Sequence, residues 1–121
     1  METRVYSWGD GRPWHSYAAY CRRHFGGRVR KIAVDAGLSC PNRDGTIGSE
    51  GCTFCDNRAF TPSYCSPRKS LTRQIEEGIA FHTARGRDEG LCLAYFQPFS
   101  NTHAPVARLR ELYAEALDHP R

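Results

Sequence analysis

Residues 36–67 form a long stretch without periodicity, and this stretch constrains the possible folds of the chain more than any other feature. It contains four glycines and three prolines but no sustained helical or strand pattern. Connections of this length are uncommon in compact domains, and those that persist are usually functional or disordered. Cysteines within the stretch favour function, because a bound metal or cluster would supply stability that secondary structure does not. They are Cys40, Cys52, Cys55 and Cys65.

Regular elements are predicted on both sides of this stretch. Before it, helical spacing of apolar residues, Trp14 among them, predicts a short helix over 14–25, and partial alternation predicts a strand over 29–35. After it, apolar residues four positions apart predict a helix over 70–84. The continuous apolar run 91–96 predicts a strand buried on both faces, and Asn101 and Thr102 are candidate N-caps for a last helix. This order predicts an α/β fold with parallel strands, the N-terminal βαβα portion of a partial or full (β/α) barrel preceded by a short helix.

The composition narrows the class and the compartment. With 121 residues, of which 40% are hydrophobic and 25% charged, the chain has the balance of a soluble globular domain. The first fifteen residues carry charges and lack the apolar segment of a secretory signal, so we expect a cytoplasmic location and no membrane partner. In a reducing compartment, clustered cysteines favour metal or cluster ligation over disulfides.

Three of the cysteines directly follow the first predicted strand. Eleven residues separate Cys40 from Cys52, and two separate Cys52 from Cys55. Ligands in α/β folds gather at the C-terminal ends of strands, which is where this loop begins. Three thiolates would leave one iron of a cubane cluster without a protein ligand and open to chemistry. Structural zinc sites prefer two close ligand pairs, but a zinc module that adds Cys65 and contacts nucleic acid stays open as an alternative.

The cysteine stretch resembles a known family. Residues 37–55, GLSCPNRDGTIGSEGCTFC, resemble the cluster loop of the YhcC-like radical S-adenosylmethionine (radical-SAM) proteins, which are related to the Elongator catalytic-subunit enzymes. Residues 95–102, YFQPFSNT, look like the end of that family's second barrel strand, so the resemblance covers residues 28–118. The cysteine spacing is wider than that of most radical-SAM enzymes but fits this subgroup. The resemblance implies an incomplete radical-SAM core domain over 28–121 behind an N-terminal helical extension over 1–27, in a chain that ends where the family continues.

The same resemblance implies a cofactor and a reaction. Cys40, Cys52 and Cys55 would ligate a [4Fe-4S] cluster, and S-adenosylmethionine would chelate the fourth iron. An electron from a flavodoxin- or ferredoxin-like donor would then break a C–S bond, which gives methionine and a 5′-deoxyadenosyl radical that abstracts hydrogen from a substrate. Phe54 would lie near the adenine, unless it packs under the loop. Gln97 is a candidate contact for the methionine amino group, and no further catalytic residue is assigned.

The remaining candidates are basic residues, cysteines and histidines. The chain has a net charge of +4, and kinship with the Elongator-type enzymes makes tRNA modification a hypothesis for its basic segment, with a solvated positive face as the alternative. Cys65 fits an ordinary loop thiol, and Cys21 and Cys92 fit small buried residues. His82 and His103 are the histidines that could border the loop. The basic segment consists of Arg22, Arg23, Arg28, Arg30 and Lys31.

Overall fold

The computed structural model describes residues 3–87 and 90–120. Its elements are α1 (Tyr17–Phe25), β1 (Val29–Val34), α2 (Leu71–Thr83), β2 (Leu91–Phe96) and α3 (Val106–Leu117). β1 and β2 pair in parallel over their whole length, from Val29 opposite Leu91 to Val34 opposite Phe96. The predicted α/β class, the element order and the parallel pairing are confirmed, whereas the division at residue 27 stays a prediction. None of the described helices is long and apolar enough to cross a membrane.

Serine caps set the starts of α1 and α2. The Ser16 hydroxyl accepts a hydrogen bond from the N–H of Ala19, so α1 begins at Tyr17 and the predicted start at Trp14 is wrong. α1 ends as predicted, because Gly26 adopts the left-handed conformation with φ 74°. Ser70 caps α2 in the same way by accepting from the N–H of Arg73.

The start of α3 differs from the prediction. Its N-cap is Pro105, which makes no side-chain capping bond, so neither Asn101 nor Thr102 has the predicted role. The Asn101 side-chain amide instead donates to the carbonyls of Phe96 and Pro98, which lie five and three residues earlier, respectively. Asn101 therefore shapes the turn that leaves β2, a role that the sequence pattern does not distinguish from capping.

The core lies on one face of the sheet. Val34 of β1 packs with Leu71 and Ile75 of α2 and with Leu112 of α3, and all four side chains are buried. On the opposite face, β2 exposes Leu91, Leu93 and Tyr95, which are 46%, 43% and 38% accessible. The prediction that β2 is buried on both faces is therefore wrong. A continuous apolar run indicates that both faces of a strand are suited to burial, but it does not show which elements bury them. In the described part of the chain, α2 and α3 pack on the same face of the sheet, so the other face of β2 stays exposed.

Side chains close the edge of β1 that faces away from β2. The Tyr64 hydroxyl accepts from the N–H of Ala33 at 3.2 Å, and the Cys65 thiol donates to the Ala33 carbonyl at 3.0 Å. The Gln74 side chain accepts from the N–H of Asp35 at 2.7 Å and donates to its carbonyl at 2.9 Å. The N–H and C=O of one strand residue point toward the same edge, so these groups saturate this edge where another strand would otherwise pair.

A glycine lets α2 approach β1 closely. A Cβ atom on Gly78 would lie 2.6 Å from Cγ2 of Ile32 and 2.9 Å from the Tyr64 ring, distances that real Cβ atoms do not show. Gly78 is thus required by packing in a helix interior where alanine has the better intrinsic propensity. The close approach holds the end of the long loop, at Tyr64, against both elements.

Candidate metal centre

The stretch 36–67, here called the cysteine loop, contains no helix or strand and connects the end of β1 to the cap of α2, as predicted. Its first part is a tight turn in which the Cys40 carbonyl accepts from the N–H groups of Arg43 and Asp44, both at 2.9 Å. The Asp44 carboxylate accepts from the N–H of Thr46 at 3.0 Å, which forms an Asx-type turn, and Gly45 there has φ 90°. Cys40 is therefore held at the start of a fixed turn.

Hydrogen bonds stabilise the ionised form of Asp44. The Thr46 hydroxyl, the Ser39 hydroxyl and the Thr46 N–H all donate to its carboxylate, and together they hold the pKa of Asp44 well below its usual range. A fourth contact joins the carboxylate to His103 Nε2 at 3.0 Å. At neutral pH, Asp44 is consequently ionised, and its carboxylate stabilises the turn by accepting these hydrogen bonds.

The two cysteine-bearing parts of the loop are bonded to each other. The N–H of Gly51 donates to the Asn42 carbonyl at 2.8 Å, and the Arg43 guanidinium donates to the Cys55 carbonyl at 2.9 Å. The Asn42 side-chain amide lies 3.7 Å from Sγ of Cys52 and points its N–H at the sulfur. Residues 40–43 and 51–55 thus form one packed unit despite the eleven residues between Cys40 and Cys52.

The cysteine loop also contacts the turn after β2. Asn57 Oδ1 accepts from the N–H of Phe99 at 3.0 Å and from the Cys55 thiol at 3.9 Å. The bond between Asp44 and His103 makes a second connection to the same turn. Phe99 adopts φ 59°, a strained conformation for a bulky residue that is common at functional sites. The loops leaving the carboxyl ends of the two parallel strands therefore meet.

The three cysteines of the predicted ligand set have compatible chemistry. Cys40, Cys52 and Cys55 are free thiols, each half-buried, and a cleft of about 520 Å³ opens beside Cys52. The amide N–H of Asn42 directed at Cys52 is the kind of donor that stabilises a thiolate ligand. Within residues 3–87 and 90–120, no three His, Cys, Asp or Glu side chains converge into a ready metal site. The three free thiols are chemically suited to bind a cluster as thiolates, but among the described residues they are not gathered around a common point.

Cys65 occupies a different environment from these three. Its thiol donates to the Ala33 carbonyl, and burial raises its pKa to about 11, with the Asp35 carboxylate adding to the effect. A neutral thiol engaged with a strand edge is a poor metal ligand, which weighs against the four-cysteine zinc site. Of the other two cysteines, Cys21 is buried as predicted, and Cys92 is half-buried.

The two predicted cofactor-binding residues have different surroundings. Phe54 is 90% accessible, so the alternative that it packs under the loop is wrong, and its ring is available to a ligand. Gln97, just past β2, lines a cavity of about 330 Å³ with Lys31, Phe60 and His82. The pKa of His82 is lowered by burial and by the positive charges of Arg87 and Arg30, so the His82 side chain that lines this cavity is neutral at pH 7.

The sequence patterns do not single out Asn57 and Phe99, which join the two loops, or Arg43, which joins two parts of the cysteine loop. Their contacts cross 42 residues for Asn57 and Phe99 and 12 residues for Arg43 and Cys55. The signal that could have found Asn57 is its position two residues after Cys55, where a side-chain amide can reach the sulfur.

Sequence comparison finds curated relatives. The chain is 39% identical over 109 residues to the uncharacterized protein YtqA of Bacillus subtilis, a match that covers 86% of this chain and 32% of the relative. It is 39% identical over 95 residues to protein YhcC of Escherichia coli, covering 78% of this chain and 29% of the relative. An uncharacterized protein of Methanocaldococcus jannaschii is 31% identical over 117 residues, covering 95% of this chain and 34% of the relative.

These relatives are much longer proteins. The chain spans about a third of the length of the curated relatives that it matches. None of their names states a reaction, a cofactor or a partner. No family model matches the chain. No solved structure matches it either.

Proposed function

We propose that this chain is the N-terminal part of a radical-SAM enzyme of the YhcC-like group, with Cys40, Cys52 and Cys55 as the ligands of a [4Fe-4S] cluster. One observation carries the proposal: the loop with these thiols leaves the carboxyl end of β1 and is bonded to the turn after β2 through Asn57 and Phe99. In α/β folds this end of the sheet is where ligands bind.

Sequence similarity supports the group, and the donor set supports the cofactor. The 39% identity to YhcC agrees with the resemblance of the cysteine loop to the YhcC-like proteins. Three thiols without a carboxylate or an imidazole among them suit iron–sulfur ligation and leave one iron for S-adenosylmethionine. The βαβα order of the described elements supports the first part of a partial (β/α) barrel.

The residues of the chain would bind and orient the reactants. When bound, the cluster supplies the electron that cleaves S-adenosylmethionine to methionine and a 5′-deoxyadenosyl radical. Asn42 donates a hydrogen bond to Cys52, and Arg43 fixes the backbone at Cys55. Phe54 offers an exposed ring to the adenine, and Gln97 offers a side-chain amide beside the end of β2.

The partners follow from this proposal. The reaction consumes one electron for each S-adenosylmethionine, which a flavodoxin- or ferredoxin-like donor would supply. tRNA is the proposed macromolecular substrate, because the chain combines a net charge of +4 with kinship to the Elongator-type enzymes.

The test is the metal content of the purified chain. After anaerobic purification and reconstitution with iron and sulfide, we expect about four iron and four acid-labile sulfide per chain. Alanine at Cys40, Cys52 and Cys55 together should reduce both to background. Cys65→Ser is the matched control, because it removes a thiol of the same loop while keeping a donor for the Ala33 carbonyl.

Each outcome of this test is informative. Full iron and sulfide in the Cys65→Ser variant and loss in the triple variant would support the three-cysteine site. Tightly held zinc without sulfide, lost in the Cys65→Ser variant as well, would overturn the proposal and favour the zinc module.

A further inference from the structure

Three arginines of the basic segment line one cavity. Arg22 on α1, Arg28 just before β1 and Arg30 on β1 surround a space of about 290 Å³. The other lining residues are apolar or aromatic, and no acidic side chain of the described residues contributes to the wall. Residues that lie up to eight positions apart in the sequence are thus gathered at one place by the packing of α1 beside β1.

Among the described residues, these arginines have no counter-charge. Within residues 3–87 and 90–120, none of the three forms an ion pair, whereas the adjacent Arg23 pairs with Asp10 at 3.5 Å. Nε of Arg30 is buried and has no hydrogen-bond partner in the described part of the chain. A buried donor without a partner costs free energy, which an anion entering the cavity would recover.

The positive charge also acts on a neighbouring group. Besides burial, the charges of Arg87 and Arg30 lower the pKa of His82 on α2. The three guanidinium groups that line the cavity without an acidic neighbour give it a positive potential, which attracts anions. Guanidinium groups match phosphate oxygens because their N–H donors form a planar fork.

An exposed aromatic ring forms part of the same cavity. Tyr17, the first residue of α1, is 58% accessible and lines the wall beside the arginines. An aromatic ring beside arginines is the usual combination for unpaired nucleotides, since the ring stacks on a base while the arginines contact the phosphate.

Lys31 does not belong to this group. The side chains of a strand alternate between its faces, so Lys31 lies on the face opposite to that of Arg30. Its ammonium group lies 4.4 Å from the centre of the Tyr95 ring, across the exposed face of the sheet. The basic segment is therefore divided between two surfaces. In the part of the chain that the structure describes, the surface with Arg22, Arg28 and Arg30 is the one that has arginines without ion pairs around a cavity.

We propose that this arginine cavity binds a phosphate of a single-stranded RNA segment, with Arg22, Arg28 and Arg30 on the phosphate and Tyr17 against a neighbouring base. The proposal rests on the proposed function only for the choice of RNA as partner. It does not depend on the iron–sulfur cluster, because none of the lining residues belongs to the cysteine loop.

The experiment measures binding of a labelled single-stranded RNA of about 20 nucleotides to the full chain by fluorescence anisotropy over a range of salt concentrations. The triple variant Arg22→Gln, Arg28→Gln, Arg30→Gln should raise the Kd at low salt by tenfold or more. The slope of log K against log salt should fall in magnitude by about 0.7, which is the contribution of one neutralised phosphate of a single strand. Tyr17→Ala should weaken binding about tenfold with an unchanged slope, because stacking releases no counterions.

A charge-matched control separates the cavity from net charge. The control variant also removes three positive charges, but at positions outside the cavity: Arg12→Gln, Arg23→Gln, Lys31→Gln. Its Kd for RNA should differ from that of the wild-type chain by less than threefold. Equal losses in the two triple variants would overturn the proposal, and so would a wild-type chain that does not bind RNA. Circular dichroism spectra identical to that of the wild-type chain are the condition for comparing the variants.

Two further binding measurements identify the ligand and separate this proposal from that of the iron–sulfur cluster. Inorganic phosphate at millimolar concentration should compete only weakly with RNA, and competition at concentrations equal to the RNA Kd would overturn the RNA assignment in favour of free phosphate. The triple alanine variant at Cys40, Cys52 and Cys55 should bind RNA as the wild-type chain does. A wild-type chain that binds RNA but incorporates no iron would contradict the cluster proposal alone. A wild-type chain that incorporates iron but does not bind RNA would contradict the cavity proposal alone.

Discussion

Cys65 shows how strongly the environment of a single side chain decides its chemistry. It lies in the same loop as Cys40, Cys52 and Cys55 and has a similar exposure. Its thiol is nevertheless bonded to the Ala33 carbonyl, and burial raises its pKa to about 11. The Cys52 sulfur, by contrast, receives an N–H from Asn42. One sulfur therefore acts as a donor at the edge of β1, whereas the other is an acceptor that fits a ligand role.

This contrast predicts slow alkylation of Cys65 in the folded chain. The thiolate is the reactive form, and raising the pKa from 9.0 to about 11 lowers the thiolate fraction at pH 8 by about 100-fold. Iodoacetamide should modify Cys65 about 100-fold more slowly in the native metal-free chain than in urea. The native rate should keep rising with pH toward 11, whereas the rate in urea should level off near 9. Mass spectrometry of pulse-labelled peptides would measure both rates, and equal rates at pH 8 would contradict the assigned environment.

At the scale of elements, polar side chains replace a strand at the edge of β1. Gln74 of α2 is completely buried and bonds to both backbone groups of Asp35 and to the Lys69 carbonyl. Tyr64 and Cys65 act in the same way on Ala33. The end of β1, from which the cysteine loop departs, is thus fixed by hydrogen bonds to α2 and to the end of the loop itself.

The substitution Gln74→Leu should destabilise the chain by about 2–4 kcal/mol. It preserves volume but leaves the part-buried N–H and C=O of Asp35 without their side-chain partner, and an unsatisfied group costs about 1–3 kcal/mol when it is fully buried. Urea unfolding of both proteins would measure the difference. Glu76→Gln, an exposed position two residues further along α2, is the control and should change stability by less than about 0.5 kcal/mol. A difference below 1 kcal/mol for Gln74→Leu would mean that water can replace the side chain at this edge.

At the scale of the whole molecule, the described residues leave the candidate site open to water. One face of β2 exposes Leu91, Leu93 and Tyr95, and Phe54 projects from the cysteine loop. Exclusion of water strengthens the interactions that position a reactant and protects reactive intermediates. The chain also spans about a third of the length of its curated relatives. Binding of a cluster and catalysis are therefore separate properties of this chain.

We accordingly expect the 121-residue chain to hold a cluster only without oxygen and to cleave S-adenosylmethionine slowly or not at all. The reconstituted chain would be incubated with S-adenosylmethionine and dithionite, and 5′-deoxyadenosine would be quantified by chromatography. Fewer than about one turnover per hour is the expected result, because an open site neither encloses the substrate nor protects the cluster. Rapid multiple turnover would contradict this and would show that the described residues suffice for the reaction. Exposure to air before the assay should remove the cluster absorbance.

The sequence determined the local features of this protein. The order of helices and strands, both strand positions, the 36–67 loop and the left-handed end of α1 at Gly26 all follow from periodicity and turn chemistry, which act over a few residues. The position of Cys40, Cys52 and Cys55 at the carboxyl end of β1 could also be predicted, because it depends only on where the strand ends. Their role as cluster ligands stays a prediction.

Only the tertiary structure decided which surfaces are covered and which distant groups meet. Periodicity marks a face as apolar but does not say what packs on it, so the exposed face of β2 could not be predicted from its apolar run. Gln74 forms hydrogen bonds with Asp35, 39 residues away in the sequence, and Asn57 forms one with Phe99, 42 residues away. The basic segment reads as one cluster in the sequence, but strand alternation and the packing of α1 divide Arg30 from Lys31. These outcomes depend on contacts between elements far apart in the chain, and no local pattern encodes them.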